Sequence, residues 1–244
     1  MIPIQLDTVR NIRDLGGTVA EGGRRIRPDC LIRSAHLAEA SEADLLRLRR
    51  EHRLCTVIDL RTDQERAEKP DRAEGLELIT CTLIERLAGI THERRDEPAR
   101  LPDMAELYRQ MMTNPVGVAG FRRALRDIFS HDYGRGSVLW HCTEGKDRCG
   151  MTAALVLEAL GVDREAILED YLETNKASLT RAQAIYDRLA PEHGEVFARS
   201  VYQAFIADER YIRAAWEAMG EDYIGGTLGI APDEVEAFRE KVLV

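Results

Sequence analysis

The chain has 244 residues, of which 44% are hydrophobic and 32% charged, and its formal net charge at pH 7 is -9. This length supports a sizeable core, and the acidic balance argues against a broad nucleic-acid-binding face, which has to be basic. No run approaches the roughly 20 apolar residues that cross a bilayer, and the N-terminus has no basic start followed by an apolar run. We therefore expect a cytoplasmic protein without integral membrane association.

The five cysteines form no disulfide pattern. Cys30, Cys55 and Cys81 sit in or beside apolar runs, which is typical of reduced, buried cysteines. Gly and Pro are scattered, and neither a repeat nor a low-complexity linker divides the sequence. We expect a single domain over residues 1–244.

The first half mixes short apolar runs with helical patterns. "CLIR" predicts a strand, "SEADLLRLRREH" predicts a helix with Ser41 as its N-cap and Asp44 three residues later, and "TVIDL" predicts a strand buried on both faces. This alternation predicts an α/β fold with a central, mostly parallel sheet flanked by helices. After "LELITCTLI", the charged segment from Glu85 to Asp103 has no periodicity and is expected to be a surface loop or lid.

The second half is mainly helical. "MAELYRQMM" and "VGVAGFRRALRDIFSH" predict helices, "SVLWHC" predicts a central strand, and "CGMTAALVLEAL" predicts a helix that is apolar almost all round and therefore buried against the sheet. From Asp163 onward the pattern is helical to the end, where Val235, Phe238 and Val242 form an apolar stripe.

The stretch "HCTEGKDRCG" lies between the predicted central strand and the buried helix. A helix N-terminus presents unpaired N–H groups and the positive end of the helix dipole, so a loop at this point can hold an anion. Arg148 follows Cys142 at the Cys-x5-Arg spacing, which lets a curled loop aim the guanidinium and the sulfur at one centre. The residues expected to bind phosphate are Thr143, Glu144, Gly145, Lys146, Asp147 and Arg148.

Cys142 is the candidate nucleophile. A helix N-terminus with nearby Arg and Lys lowers a thiol pKa to roughly 3.5–7.5, so the thiolate would form without a separate base. Its attack on phosphorus gives a phosphocysteine that water then hydrolyses. A zinc site formed by His141, Cys142 and Cys149 is a weaker interpretation, since the segment has neither a Cys-x2-Cys pair nor a fourth ligand at ordinary spacing. We expect no metal and no cofactor.

"HCTEGKDRCG" resembles the signature of cysteine-based protein tyrosine phosphatases, specifically the atypical bacterial tyrosine/lipid phosphatase family. "NIRDLGG", "LIRSAHL", "VIDLRTDQER", "EDYLETN" and "GGTLGIAPDEVEAFREKVL" are similar to that family in the same order. The resemblance implies a tyrosine-phosphatase-like fold with Cys142 as nucleophile and Arg148 as phosphate ligand. Phosphatases that accept phosphoinositides also have a lysine at the position of Lys146, so the resemblance suggests lipid head groups as substrates. The simpler interpretation is that the ammonium group only makes the electrostatic potential of the loop more positive.

Two residues depart from the pattern of that family. Cys149 stands where Ser or Thr usually assists the leaving sulfur, which predicts slower phosphoenzyme hydrolysis and offers a partner for a reversible disulfide with Cys142. A buried small residue is the simpler interpretation. Glu144 replaces what is often a small residue and is expected to point outward.

The leaving oxygen needs a general acid, and two carboxyl groups are candidates. Asp147 lies inside the loop, as in the resembled family, and Asp59 ends a strand whose carboxyl end should border the site. Each has a structural alternative, since Asp147 could orient Arg148 and Asp59 could pair with Arg61 or a backbone N–H. In "NIRDLGG", Asn11, Arg13 and Asp14 are expected to support the loop as a turn rather than to act in catalysis.

The sequence thus favours a phosphomonoesterase acting on phosphotyrosine, with phosphoserine/threonine and phosphoinositides as further substrates. The alternatives are a rhodanese-like or arsenate-reductase-like thiol enzyme, and a weakly active phosphate-binding module. The expected partners are a phosphorylated protein or phosphoinositide substrate and no nucleic acid; the sequence does not specify an oligomeric state.

Overall fold

The computed structural model describes residues 1–84 and 103–244. The predicted loop from Glu85 to Asp103 lies outside these residues except for Asp103, which is the N-cap of a helix. The strands are β1 (Ile2–Pro3), β2 (Arg13–Asp14), β3 (Leu31–Ser34), β4 (Leu54–Asp59), β5 (Glu77–Thr80) and β6 (Ser137–His141). The helices are α1 (Glu42–Glu51), α2 (Asp63–Glu68), α3 (Met104–Thr113), α4 (Pro115–Ser130), α5 (Asp147–Ala159), α6 (Arg164–Glu173), α7 (Asn175–His193), α8 (Glu195–Phe205), α9 (Glu209–Met219) and α10 (Pro232–Val242).

The six strands form one sheet in the order β1-β2-β3-β6-β4-β5. Strands β3, β6, β4 and β5 are parallel, whereas β1 and β2 extend the sheet as antiparallel strands beside β3. The predicted mostly parallel sheet with a helical second half is confirmed. The two short antiparallel strands were not predicted, because two-residue strands carry no periodicity.

The central strands are buried on both faces, as their continuous apolar runs predict. Leu31, Ile58 and Trp140 belong to a large core on one side of the sheet, and the alternate residues Val57 and Leu139 belong to a smaller core on the other. Side chains of a strand point alternately to its two faces, which explains this division. The large core also receives α5, which is buried along almost its whole length.

The register of the parallel strands brings their carboxyl ends to one edge of the sheet. Ser34 and Asp59 are both paired with His141, the last residue of β6. The segment after β6 therefore leaves from the middle of this edge, with the ends of β3 and β4 on either side. This is the edge at which open α/β sheets bind their ligands.

The start of α1 agrees with its predicted cap, with one correction. Ser41 Oγ accepts the N–H of Asp44 at 3.0 Å. The Asp44 carboxylate does not complete the cap; it accepts the N–H groups of Asp7 and Thr8 at 3.0 and 2.8 Å. Asp44 therefore fastens the N-terminal segment to α1.

The cysteines are free thiols in the structure. Cys30 and Cys81 are buried as expected, whereas Cys55 is only partly buried, which corrects the prediction for that cysteine. Among the described residues, no helix combines the length and the apolar character that a bilayer crossing requires.

The apolar side chains predicted to form a stripe on α10 pack into the large core. Phe238 is fully buried and stacks on Phe129 of α4, with the ring centroids 4.2 Å apart.

Replacing a buried Phe by Ala costs about 3–5 kcal/mol, so we predict that Phe238→Ala lowers the free energy of unfolding in urea by that amount. Val196 is 87% exposed, and Val196→Ala should change the same free energy by less than about 0.5 kcal/mol. Equal losses in the two variants would contradict the assigned core.

Candidate active site

The segment after β6 forms a tight loop from Cys142 to Lys146 and then enters α5. Gly145 has φ +68°, and a Cβ placed there would lie 2.5 Å from the Ser34 carbonyl oxygen. Only glycine combines this left-handed conformation with so close a backbone approach. The sequence therefore permits the loop to curl against the end of β3.

Six consecutive backbone N–H groups in this loop remain available. Within the described parts of the chain, none of the amides from Thr143 to Arg148 donates to a protein acceptor. Native backbones rarely leave so many donors unpaired, and the end of a helix aims such donors at one point. Free amides at this point are what the predicted anion site requires, and the binding of an anion there stays a prediction.

Cys142 lies at the start of this loop, directly after the central strand. It is 2% exposed. Burial by itself would lower the pKa of the Arg148 guanidinium, but the hydrogen bonds to Glu65 and the negative charge of Glu65 raise it. The nucleophile candidate and the arginine thus lie at the two ends of one tight loop, Cys142 directly after β6 and Arg148 in the first turn of α5.

Arg148 is held by a carboxylate that was not among the predicted site residues. Its two terminal nitrogens donate to the two Glu65 oxygens at 2.6 and 2.8 Å. Thr143 Oγ1 donates to the same carboxylate and lies 3.3 Å from the guanidinium. A guanidinium has five N–H donors, so this arrangement fixes Arg148 and still leaves donors for an oxyanion.

Glu65 owes its place to the start of α2. Thr62 Oγ1 accepts the Glu65 N–H at 3.2 Å, and the Thr62 N–H donates to Glu65 Oε2 at 2.9 Å, which completes a capping box. Burial alone would raise the pKa of Glu65, but the hydrogen bonds and charge of Arg148 outweigh it and hold the pKa well below its usual range. The Thr-x-x-Glu pattern in "VIDLRTDQER" signals the cap, yet nothing in it signals the contact with Arg148.

The two general-acid candidates have different surroundings. Asp147 keeps a quarter of its side chain exposed, lies 3.2 Å from Lys146 Nζ and accepts the Tyr108 hydroxyl at 2.7 Å. Asp59 is 1% exposed, and both of its oxygens accept N–H groups of Arg61, the closest at 2.7 Å. Asp59 makes the contacts that were expected of a structural role, to the side chain and to the backbone N–H of Arg61.

Asp59 also belongs to the one group of possible metal ligands found among the described residues, together with Asp71 and His141. Arg61 lies among them and donates to both carboxylates, at 2.7 Å to Asp59 and 2.8 Å to Asp71. A guanidinium therefore already supplies the positive charge that these carboxylates require. The geometry does not favour a metal there.

Lys146 and Glu144 contact the helical pair α7 and α8. Lys146 is 1% exposed, and its ammonium group donates to the carbonyls of Ala204 and Ile206 at 2.5 and 3.1 Å. Glu144 points outward as expected, accepting from Arg181 of α7 at 2.5 Å. The predicted binding residues therefore divide into those that line the loop and these two, which tie it to the helical half.

Cys149 lies in the first turn of α5 and is fully buried. Its thiol donates to the Trp140 carbonyl at 3.6 Å, and burial raises its pKa to about 11. These contacts agree with the simpler interpretation of a small buried side chain. The slower phosphoenzyme hydrolysis expected of this replacement stays a prediction.

The sequence comparisons identify the family. A model of a tyrosine phosphatase family matches residues 4–244. The chain belongs to this tyrosine phosphatase family. It is 35% identical to a protein of Cupriavidus necator named as a tyrosine-protein phosphatase, over 77% of this chain and 68% of that protein. It is 30% identical to the triple specificity protein phosphatase PtpB of Mycobacterium tuberculosis, over 96% of each chain.

Among solved structures, the chain is similar to the core catalytic domain of the PP-IP phosphatase SIW14 of S. cerevisiae, with a TM-score of 0.40, 14% identity, and coverage of 86% of this chain and 94% of that one. The family membership bears out the predicted class of enzyme, a cysteine-based phosphatase, and the resemblance drawn from "HCTEGKDRCG". It gives no support to the rhodanese-like or arsenate-reductase-like alternative.

The ionised Glu65 should contribute stability that depends on pH. Its pKa is lowered from an ordinary value of 4.5, so the folded state keeps this carboxylate ionised after the unfolded chain has begun to bind protons. We predict that the difference in urea stability between the wild type and Glu65→Gln is constant above about pH 5 and shrinks as the pH falls further. A difference that grows on acidification would contradict the ion pair.

Proposed function

We propose that the protein is a metal-independent phosphomonoesterase that works through a phosphocysteine on Cys142. The observation that carries this proposal is the loop that follows Cys142, whose six amides have no acceptor among the described residues, together with Arg148 at its end, held by Glu65. The amides and the guanidinium suit the oxygens of a phosphoryl group, whose charge spreads over the equatorial oxygens as the transition state forms.

In the first step the Cys142 thiolate attacks phosphorus, the bond from phosphorus to the ester oxygen breaks, and that oxygen leaves with a proton. In the second step water attacks the phosphocysteine, a proton passes to a base, and the thiolate departs as phosphate is released. The six amides and Arg148 serve both displacements, since each passes through the same distribution of charge on phosphorus.

We assign the proton transfers to Asp147. It is the more exposed of the two candidate carboxyl groups, and Tyr108 holds one of its oxygens in place. Burial and the charge of Asp147 raise the pKa of Tyr108, so this phenol remains a donor. Asp59 would first have to break its paired hydrogen bonds with Arg61, which would leave that buried guanidinium with Asp71 as its one carboxylate partner among the described residues.

The substrate class we propose is phosphotyrosine, with phosphoserine/threonine and phosphoinositides as further substrates. PtpB of Mycobacterium tuberculosis, which aligns over 96% of each chain, is named a triple specificity phosphatase. We further propose that residues 1–244 form one phosphatase domain that acts in the cytoplasm and has no nucleic-acid partner, in accord with the net charge of -9.

The nucleophile is tested with p-nitrophenyl phosphate in the presence of EDTA. We predict hydrolysis by the wild type, inhibition by orthovanadate, and a loss of kcat of at least about 10³-fold in Cys142→Ser. Cys30→Ser is a matched control because this cysteine is buried at the opposite end of the sheet's parallel strands, next to β3. Equal activity in the wild type and Cys142→Ser would refute the mechanism, and a wild type that binds vanadate without turnover would indicate a phosphate-binding module.

The general acid is tested by comparing Asp147→Asn with Asp59→Asn on two aryl phosphates, one with a good and one with a poor leaving group. General acids contribute about 10²–10⁴-fold, so Asp147→Asn should lower kcat by that factor for the poor leaving group and by less for the good one. Asp59→Asn should lower stability and affect both substrates alike. The opposite pattern would assign the acid to Asp59.

A further inference from the structure

Three segments that the proposed mechanism does not use meet beneath the catalytic loop. "NIRDLGG" supplies Arg13, "LIRSAHL" supplies Arg33, and "EDYLETN" supplies Asp170, and all three side chains are buried. Asp170 Oδ1 accepts Arg13 Nε at 2.8 Å, and Asp170 Oδ2 accepts a terminal nitrogen of Arg33. The segments come from β2, β3 and α6, so this cluster ties the antiparallel edge and the helical half to the centre of the sheet.

The cluster reaches the catalytic loop through two carbonyl groups. The second terminal nitrogen of Arg33 donates to the Gly145 carbonyl at 2.9 Å. The Asn11 amide donates to the carbonyls of both Glu144 and Gly145 at 3.0 Å. Asn11 is itself fixed by Arg13, which donates to its side-chain oxygen at 2.8 Å.

These contacts determine where two of the free amides point. A trans peptide is planar, so its N–H is directed away from its C=O. With the Glu144 carbonyl held below the loop, the Gly145 N–H faces the opposite side. The Gly145 carbonyl, held by Arg33 and Asn11, directs the Lys146 N–H in the same way. Both N–H groups belong to the set that has no acceptor in the described chain.

Arginine is suited to this position because its planar fork makes two directed hydrogen bonds at once. One terminal nitrogen of Arg33 donates to Asp170 and the other to the loop carbonyl. Arg33 therefore connects the loop to a rigid, buried carboxylate. A lysine at this position would keep the charge but would replace the fork by a single nitrogen.

Within the part of the chain that the structure describes, the cluster also carries excess positive charge. Two guanidinium groups share the one carboxylate of Asp170, and the neighbouring thiol of Cys149 does not compensate, because burial raises its pKa to about 11 against the opposing effect of Arg33. An uncompensated charge in a buried, weakly screened position attracts an anion more strongly than an exposed one does. The nearest place built for an anion is the loop above it.

We infer that Arg33 is a positioning residue of this phosphatase: held by Asp170, it fixes the Gly145 carbonyl and thereby aims the loop amides at the phosphoryl oxygens, and Asn11 does the same from the other side. This inference rests on the proposed function, because it assigns the amides to a phosphoryl group. Neither side chain touches the substrate in this role.

The test compares Arg33→Gln, Arg33→Lys and Asn11→Gly with the wild type. Asn11 has φ +51°, a conformation that glycine adopts readily, so Asn11→Gly removes the amide without backbone strain and without loss of a buried charge, although Arg13 also loses the hydrogen bond to Asn11. Leu31→Ala is the control, since Leu31 is a fully buried residue of the same strand that makes no hydrogen bond to the loop through its side chain. The measurements are the inhibition constant of orthovanadate, kcat and KM for p-nitrophenyl phosphate, and the midpoint of thermal unfolding.

Losing a hydrogen bond to a charged group weakens an interaction by roughly tenfold or more, so Arg33→Gln should weaken orthovanadate binding at least about tenfold and lower kcat more than it raises KM. Arg33→Lys should recover part of this loss, by its charge alone. Asn11→Gly should weaken orthovanadate binding about three- to tenfold with little change in the thermal midpoint. Leu31→Ala should lower the midpoint and leave the inhibition constant within about twofold of the wild type.

The inference is overturned if orthovanadate binds folded Arg33→Gln and Asn11→Gly as tightly as the wild type, or if Leu31→Ala loses as much affinity as they do. If Arg33→Gln does not fold, Asn11→Gly decides, because its effect does not depend on removing a buried charge. Failure of the proposed function looks different: the wild type itself would neither bind orthovanadate nor hydrolyse p-nitrophenyl phosphate.

Discussion

Six successive N–H groups, from Thr143 to Arg148, have no acceptor in residues 1–84 and 103–244, so this backbone has to be held in place by something other than its own hydrogen bonds. This constraint governs the region around Cys142. If the loop continued the strand or began the helix earlier, these N–H groups would form hydrogen bonds within the protein. An isolated loop of this kind would contain no interaction that keeps them aligned. Its conformation is therefore imposed from outside, by Gly145 against the end of β3 and by side chains that bind its carbonyls from below.

Much of the polar structure around the site follows from this constraint. Glu65 fixes Arg148 from the α2 side, the cluster of Arg13, Arg33 and Asp170 supports the loop from the β2 and β3 side, and Lys146 joins it to the end of α8. Each contact buries charge, which is costly unless it is paired. The pairing is nearly complete except where an excess of positive charge faces the loop, the place where a phosphoryl group would supply the negative charge.

The sequence predicted the elements that packing determines. Continuous apolar runs predicted β4 and β6, the all-round apolar pattern predicted the buried α5, and the cap at Ser41 predicted the start of α1 within one residue. It also predicted that the candidate nucleophile and the arginine share one loop, because their spacing is local and the loop lies between two recognisable elements. The strands β1 and β2 were not predicted, because two residues are too few to show an alternation of apolar and polar side chains.

The contacts that depend on distant parts of the chain could not be predicted. Glu65 is 83 positions from Arg148, and Asp170 is 137 positions from Arg33. Local patterns explain Glu65 as a capping residue and leave Asp170 as one acidic residue of a helix. Their roles appear only when the register of the parallel strands brings Ser34, Asp59 and His141 to one edge. The sequence placed Asp147 before Asp59 as general acid only because Asp147 lies inside the loop, whereas their burial and pairing appear only in the structure.

In the proposed mechanism, the loop amides from Thr143 to Arg148 receive the oxygens of a phosphoryl group. Nuclear magnetic resonance of ¹⁵N-labelled Cys142→Ser protein titrated with inorganic phosphate tests this contact without turnover. We predict saturable downfield shifts of the amide protons from Thr143 to Arg148, larger than those of any other segment. Shifts that are absent from these amides, or that saturate at a different segment of the chain, would contradict it.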